Sequence, residues 1–386
     1  MADNDSKFYP EFDKYINWGN PEQKRRAEIW RAAIGLQVMN DLTVSEYLKQ
    51  IAKKNIEGTT SFKEVCRLVE SYYQSRDIRE IDEYRMQEAD MVSANIARAL
   101  SSDSFFFMAE GYTMLHGRIF EGVLTNAGKM RESDISREEI VLEGDSVSYL
   151  HWEDIPGALE YYIERERKFS YQGLSQDEKI SHISRFIADI WQIHAFKKGS
   201  TRTTAVFAIQ YLRSVGFKIN YNMFACHSEY FRNALVRANY KNIVKGIDYS
   251  PEYLERFFRN MFLEDQWALL SCYLRIYSSG IWGDQPNLAD KTGQVQDKFK
   301  ENDPNIEQIV ITLGVKYKPL KELMYDLKLR GRDNFLKLYL KPAINKGYVK
   351  MLYPKSPHHP RQRYKLTRKG FILWDLVAKM ERPLFT

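Results

Sequence analysis

The sequence predicts a mainly α-helical protein with one small β-hairpin in its middle and a compact α+β module at its end. Three observations predict it. Before the tail, apolar residues recur at helical spacing through nearly every segment that could form an element. The exception there is residues 139–150, which alternate around a Glu143-Gly144-Asp145 turn as a hairpin does. From Ile306 the pattern becomes helix, helix, helix, strand, turn, strand. With 386 residues, 44% of them apolar and 14% aromatic, the chain has material for two or three packed domains. The pattern places their boundaries at residues 1–100, 101–240, 241–300 and 301–386.

Residues 21–100 read as helices over 24–39, 44–53, 61–76 and 78–99. Thr43 and Ser45 stand where a helix restarts, and Gly58-Thr59-Thr60-Ser61 marks another turn with capping residues. Phe105–Phe107 with Met108, Tyr112 and Leu115 are core candidates for the next helix, which carries His116 in a packing role in preference to a catalytic one. Asn126-Ala127-Gly128-Lys129 breaks the chain into a loop that Arg131 fixes. A helix over 158–168 and a polar stretch at 173–179 follow.

Residues 190–215, IWQIHAFKKGSTRTTAVFAIQYLRSV, organise the rest. Ile180, Ile183, Phe186, Ile187, Ile190 and Trp191 make one helical stripe. Ala205, Val206, Ala208, Ile209, Leu212 and Val215 make the next, which Gly216 terminates. Between them Gly199 permits positive φ, and Ser200 or Thr201 is available as N-cap. A glycine loop feeding a helix N-terminus turns backbone N–H groups toward an anion, and Arg202 adds a planar cation. A base, His194, beside such a cradle suits nucleotide chemistry.

His194, Phe196, Gly199 and Arg202 fall in register with H-x-F-x-[D/E]-G-N-G-R-x-x-R, and on them the chain resembles the Fic-domain family. MLHGRIFEGVLTNAGKMRESDIS (114–136), IVLEGDSVSY (140–149) and FACHSEYFRNALVRA (224–238) resemble the family's upstream helix, its hairpin flap and its downstream helix. The resemblance implies transfer of AMP from ATP to a target hydroxyl. His194 would be the general base, Lys198, Gly199, Ser200, Thr201 and Arg202 would hold the phosphates, and Phe196 would be structural. Val141, Leu142, Val147 and Tyr149 would form the flap that aligns the target protein. This signature is degenerate. Lys198 replaces the acid that holds magnesium in active members, Ser200-Thr201 replaces Asn-Gly, and Ala205 replaces the second arginine. A cation about 4 Å from another costs on the order of 4 kcal/mol at an effective dielectric near 20. No metal is therefore expected through Lys198, and the ligand expected is ATP or another nucleotide alone. Phosphoryl transfer, as in Doc-type members, fits less well, because their signature has Asn-Lys at Ser200-Thr201.

AAIGLQVMNDLTVSEYLKQIAKKNIEG resembles the antitoxin-like segment attached to many Fic domains, in which an acid pairs with the second arginine. The register places Asn40 at that acid. With Asn40 and Ala205 both lacking charge, the segment is expected to dock as structure without the inhibitory ion pair.

After a helix at 251–278 whose aromatics serve packing, Gly and Pro residues make 279–293 a linker. From Asn305 onward the chain has 18 Lys and Arg of the total 57 but only 6 Asp and Glu of 51, which leaves the body 39 against 45. A basic tail on an acidic body points to a polyanion partner. The helix and strand order is that of a winged helix, and YLKPAINKGYVKMLYPKSPHHPRQRYKLTRKG resembles the module found at the end of the same proteins. Arg330, Arg332, Lys337 and Lys341 would lie on or near the recognition helix, with Lys355, Arg361 and Arg363 on the wing, contacting DNA. The alternative is a surface for a protein partner or a second copy of the chain. Cys66, Cys226 and Cys272 are too scattered for a disulfide framework or a metal cluster. No apolar run is long enough to span a bilayer, and the expectation is a cytoplasmic protein.

Overall fold

The computed structural model describes residues 10–76, 80–276, 303–314, 317–354, 356–357 and 359–381. The expected linker and the wing residue Lys355 lie outside them. The described residues are mostly helical with one two-stranded antiparallel sheet, the mainly α class predicted. Among them no helix is long and apolar enough to cross a membrane. The chain divides into two compact units, Met1–Glu139 with Asp145–Asp265, and Ile140–Gly144 with Gln266–Thr386.

In the first unit the N-terminal helices do not form a body of their own. After α1 (Pro10–Trp18), α2 (Pro21–Gly35) starts on a capping box. Asn20 Oδ1 accepts from the Gln23 amide at 2.9 Å, and the Gln23 side chain accepts from the Asn20 amide at 3.1 Å. Its small C-terminal residues, Ala32-Ala33-Ile34-Gly35, are buried. A Cβ on Gly35 would stand 2.5 Å from the backbone of Ala225, so only glycine lets α2 approach α10 (Tyr221–Cys226) this closely. The helices α3 (Glu46–Ile56), α4 (Phe62–Gln74) and α5 (Ile81–Ser101) meet at the buried Asp90. Its carboxylate accepts from the Ser45 amide (2.8 Å), the Ser45 hydroxyl and the Tyr73 hydroxyl (2.7 Å). Burial pushes the Asp90 carboxyl up to about 6, although those donors pull it back. Ser45 also caps α3 through the Leu48 amide, as its position after a turn predicts.

The helices that carry the candidate site follow: α6 (Ala109–Ile119), α7 (Ile155–Arg167), α8 (Gln176–Ile193), α9 (Ser200–Ser214), α11 (Ser228–Ala238) and α12 (Glu252–Leu263). The helix expected over 251–278 is shorter. It stops at Leu263, where Glu264 turns left-handed at φ 54°, and the chain then passes to the second unit.

The hairpin expected at 139–150 does not form. Ile140–Leu142 is a single 3₁₀ turn, and one bond from the Glu139 amide to the Asp145 carbonyl (2.9 Å) closes the loop. Val141 and Leu142 are consecutive and both buried, at 2% and 1% exposure, which a strand's alternation forbids. They belong to the second unit, where the Ile276 amide donates to the Val141 carbonyl at 2.8 Å.

The second unit contains α13 (Pro304–Leu313), α14 (Leu320–Asp326) and a third helical stretch. The last runs through α15 (Arg332–Phe335), a π turn (Leu336–Leu340) and α16 (Lys341–Asn345). Pro342 explains the π turn. It has no N–H for the Leu338 carbonyl, and the turn widens so that the Lys341 amide reaches Leu336 instead. Strands β1 (Val349–Met351) and β2 (Tyr364–Leu366) pair with Lys350 opposite Lys365, and Lys318 adds a bridge to Tyr364. A helix the sequence reading did not find, α17 (Arg368–Glu381), follows β2 and packs Phe371 and Ile372 into the core with Ile309, Phe335 and Leu366.

Candidate active site

The loop between α8 and α9 is fixed at each residue by a different device. α8 opens on a Ser175–Glu178 capping box and ends where His194 adopts φ 46°, ψ 55°. A left-handed conformation costs a non-glycine residue roughly 1–2 kcal/mol, so the surroundings must hold it. Arg131 does so: its Nε donates to the His194 carbonyl at 2.9 Å and its amide to the Ala195 carbonyl at 2.8 Å. Phe196 lies between Tyr112 and the ring of His116, the latter stacked at 3.8 Å. The Ser200 hydroxyl donates to the Phe196 carbonyl (3.0 Å) and accepts from its amide (3.2 Å). Gly199 is obligatory twice over. Its φ is 83°, and a Cβ would stand 2.3 Å from the Phe120 ring.

Gly199, not Ser200 or Thr201, is the N-cap of α9. The serine hydroxyl is spent on the loop, and Thr201 accepts from the Trp191 indole N–H at 2.9 Å. The N-terminal amides of α9 still lack carbonyl partners within the helix, as at any helix start.

His116 is fully bonded. The Gly128 amide donates to its Nδ1 at 2.8 Å, so Nε2 carries the proton and donates to the Lys198 carbonyl at 3.0 Å. Burial lowers its pKa to about 4, and the ring ties the α6 loop to the signature loop as a neutral strut.

His194 is the opposite case. It is 2% exposed, with the Tyr149 ring 4.2 Å away and Trp191 edge-on at 5.5 Å. Neither ring nitrogen has a hydrogen-bond partner among the described residues. Burial lowers its pKa well below the ordinary value, and the charges of Arg137, Arg131 and Arg232 lower it further. The ring is therefore a neutral base at pH 7, with an acceptor nitrogen that the protein does not use.

Arg202, 4% exposed, points to protein groups. Its Nη1 donates to Gln37 Oε1 (2.9 Å), its Nη2 to Glu88 Oε1 (2.6 Å), and its plane lies over Phe120 at 4.9 Å. Asn40, which the register places at the acid that pairs with the signature's second arginine (Ala205 here), is exposed. The residue of that segment at the signature is Gln37, three positions earlier and fully buried. The 3₁₀ turn Val38–Asn40 after α2 carries Asn40 outward, which the register drawn from the sequence did not allow for.

Of the flap residues, Val147 is buried and Tyr149 covers His194, whereas Val141 and Leu142 belong to the second unit. Lys197 and Lys198 are exposed, and residues 194–202 carry no carboxylate. Among the described residues no group of three His, Cys, Asp or Glu could hold a metal ion. In the second unit Arg332, Lys337, Lys341 and Arg361 are all exposed.

Four residues at the site had no signal in the sequence: Gln37 and Glu88 on Arg202, and Arg137 and Arg232 around His194. Arg137 donates to the Lys197 carbonyl, and Arg232 pairs with the buried Glu139 at 2.6 Å. Gln37 and Arg232 fall inside segments that carry the resemblance, but no spacing or residue type marks any of the four as a site residue.

The Fic/DOC family model matches residues 106–212, the stretch from α6 through α9, and a second family model, the C-terminal domain of Filamentation induced by cAMP protein Fic-like, matches residues 304–367. This is a Fic-domain protein. Among solved structures it is similar to a Fic family protein from Desulfovibrio desulfuricans G20, at 15% identity and TM-score 0.42 over 95% of this chain and 97% of that one. It is also similar to the N-terminal Fic domain of Bep8 from Bartonella sp. 1-1C, at 16% identity and TM-score 0.38 over 48% of this chain and 88% of the other. No curated protein matches. The Fic match ends within α9, so the departures at Lys198, Ser200, Thr201 and Ala205 fall inside the recognised domain.

Proposed function

We propose that this Fic domain transfers a nucleotidyl group, AMP in the first instance, from a nucleoside triphosphate to the hydroxyl of a protein side chain. One observation carries the reading: a deeply buried histidine at the end of α8 with both ring nitrogens unpartnered. A buried polar atom left without a partner costs about 1–3 kcal/mol. A packing histidine finds partners, as His116 does. In the reaction the target oxygen attacks the α-phosphorus and forms a phosphoester. The bond to the bridging oxygen breaks, pyrophosphate leaves, and His194 takes the hydroxyl proton. General-base assistance of this kind is typically worth 10²–10⁴-fold. Arg202 is committed to Glu88 and Gln37, so this is a resting arrangement with its phosphate cation occupied. No step is assigned to magnesium.

Incubation with α-labelled ATP, CTP, GTP and UTP in a cell lysate tests the proposal. Label should pass to a protein in the presence of the wild type and not of His194→Ala. No transfer with any of the four nucleotides leaves a binding protein in place of an enzyme.

A second reading concerns the C-terminal unit, which we read as a winged helix that contacts DNA. Its support is the charge split together with the exposure of Arg332, Lys337, Lys341 and Arg361. Binding to duplex DNA should then fall with salt, log K dropping by about 0.9 per phosphate contact per decade. A gel shift that fails even at low salt removes it.

A further inference from the structure

The degenerate signature lacks one arginine and the acid for a metal, and its remaining arginine is occupied. Charge for an anion must come from elsewhere. Two arginines outside the signature approach it. Arg137, on the stretch before the flap turn, reaches the signature loop and donates to the Lys197 carbonyl. Its amide is held by the Ser146 hydroxyl at 3.1 Å, which fixes where the side chain starts. Among the described residues it pairs with no carboxylate, and its side chain is half-buried. Arg232 comes from α11 and binds the Glu139 carboxylate, two residues beyond Arg137. Burial pushes the Glu139 carboxyl up, while first Arg232 and then Arg137 pull it down, as expected if both cations flank it. Tyr149 connects the group to the His194 ring: it lies on His194, and burial, with Glu139 adding to it, raises its phenol.

We propose that Arg137 and Arg232 form an anion subsite beside His194 that takes the polyphosphate of the nucleotide in place of a metal. The proposal rests on the transfer reading for its use and on three observations for its existence. One is a guanidinium that makes no ion pair among the described residues and donates to a backbone carbonyl. Another is a second guanidinium paired with the buried Glu139, whose carboxylate also feels the charge of Arg137. The third is a buried histidine with two unpartnered nitrogens, surrounded by positive charge. An anion answers all three. It compensates Arg137, offers an acceptor to whichever ring nitrogen carries the proton, and replaces part of the charge that depresses the ring. The positive potential also favours departure of pyrophosphate, since negative charge develops on the leaving oxygen.

Calorimetry with pyrophosphate and with ATP in EDTA, at low salt, tests the subsite without requiring catalysis. Both should bind the wild type. Arg137→Gln should weaken binding tenfold or more, and Arg137→Lys should recover part of it. Because Arg232→Gln leaves Glu139 buried and unpaired, it is paired with Glu139→Gln, and this double variant should also lose tenfold. On adding pyrophosphate the ring signals of His194 should titrate at higher pH in the wild type and stay unchanged in Arg137→Gln. Failure of either anion to bind, or equal binding by Arg137→Gln, overturns the subsite. So does loss of binding confined to Arg202→Gln, which would place the phosphates on the signature itself. Anion binding without label transfer in the lysate keeps the subsite and discards the transferase.

Discussion

The surroundings of His116 and of His194 differ in one respect that decides their roles. Both rings are buried, both flank Phe196 in the chain's fold or sequence, and both are held neutral by desolvation. The ring on α6 has a backbone partner on each nitrogen, whereas the one at the end of α8 has none. Buried polar groups are ordinarily satisfied, so the bonded histidine explains itself through the loop it ties down. The other leaves a cost in place, and that cost is intelligible as capacity held for a ligand or a proton. A low pKa therefore does not distinguish a strut from a base. The partner count does.

The largest effect should separate the two by activity. His194→Ala is expected to lower nucleotidyl transfer by 10²–10⁴-fold while the far-UV spectrum stays unchanged. His116→Ala should instead appear as a loss of stability of roughly 2–4 kcal/mol in denaturant melts, from two lost bonds and the stacking on Phe196. If His116→Ala abolished transfer in a protein of wild-type stability, the division between strut and base would fail.

Acid should sharpen the contrast next. A histidine whose folded pKa is lowered binds fewer protons folded than unfolded, so stability is lost as pH falls from the unfolded value near 6.5 through the folded one. For His116, lowered to about 4, the window is pH 6.5 to 4 and the loss is on the order of 3 kcal/mol. His116→Gln should flatten that part of the stability profile, measured by urea melts at stepped pH. Asp90 works in the other direction. Its carboxyl is raised to about 6, so its contribution is lost as pH rises through 6. Between about pH 4 and 6 its slope therefore opposes that of His116, so Asp90→Asn should steepen the acid loss, and an unchanged slope in urea melts would contradict it.

The smallest effect concerns Arg202. Glu88→Gln removes the charge that ties it down, and nucleotide affinity should rise by a few-fold to tenfold in calorimetry. No change would mean that the arginine takes no part in binding.

The signature loop was legible because its determinants are local. Gly199 must take positive φ, and His194, Phe196 and Arg202 stand at fixed offsets from it. Gln37 and Glu88 were not legible, because they meet Arg202 across 165 and 114 positions. Nothing in either segment alone marks them, and the resemblance drawn there selected Asn40 in error. The flap was misread because alternation over 139–150 looks alike whether a chain pairs as strands or folds back with Val141 and Leu142 both inward. In the tail the helices and both strands were found from their periodicity. The run FILWDLVAKM was not read as a helix, although Thr367 before it caps α17 by accepting from the Gly370 amide at 3.1 Å.

Pro342 has a further effect on the basic tail, best seen as angles around an axis. Arg332 and Lys341 are nine residues apart. On a uniform α-helix, at about 100° per residue, they would stand nearly opposite each other. The π turn between them absorbs about one extra residue and takes back roughly 100°, so the two cations come to within about a quarter turn. One proline thereby gathers onto one side of a short rod two charges that the linear sequence places on opposite sides. Replacing it with alanine would change no charge and still disperse the cationic face.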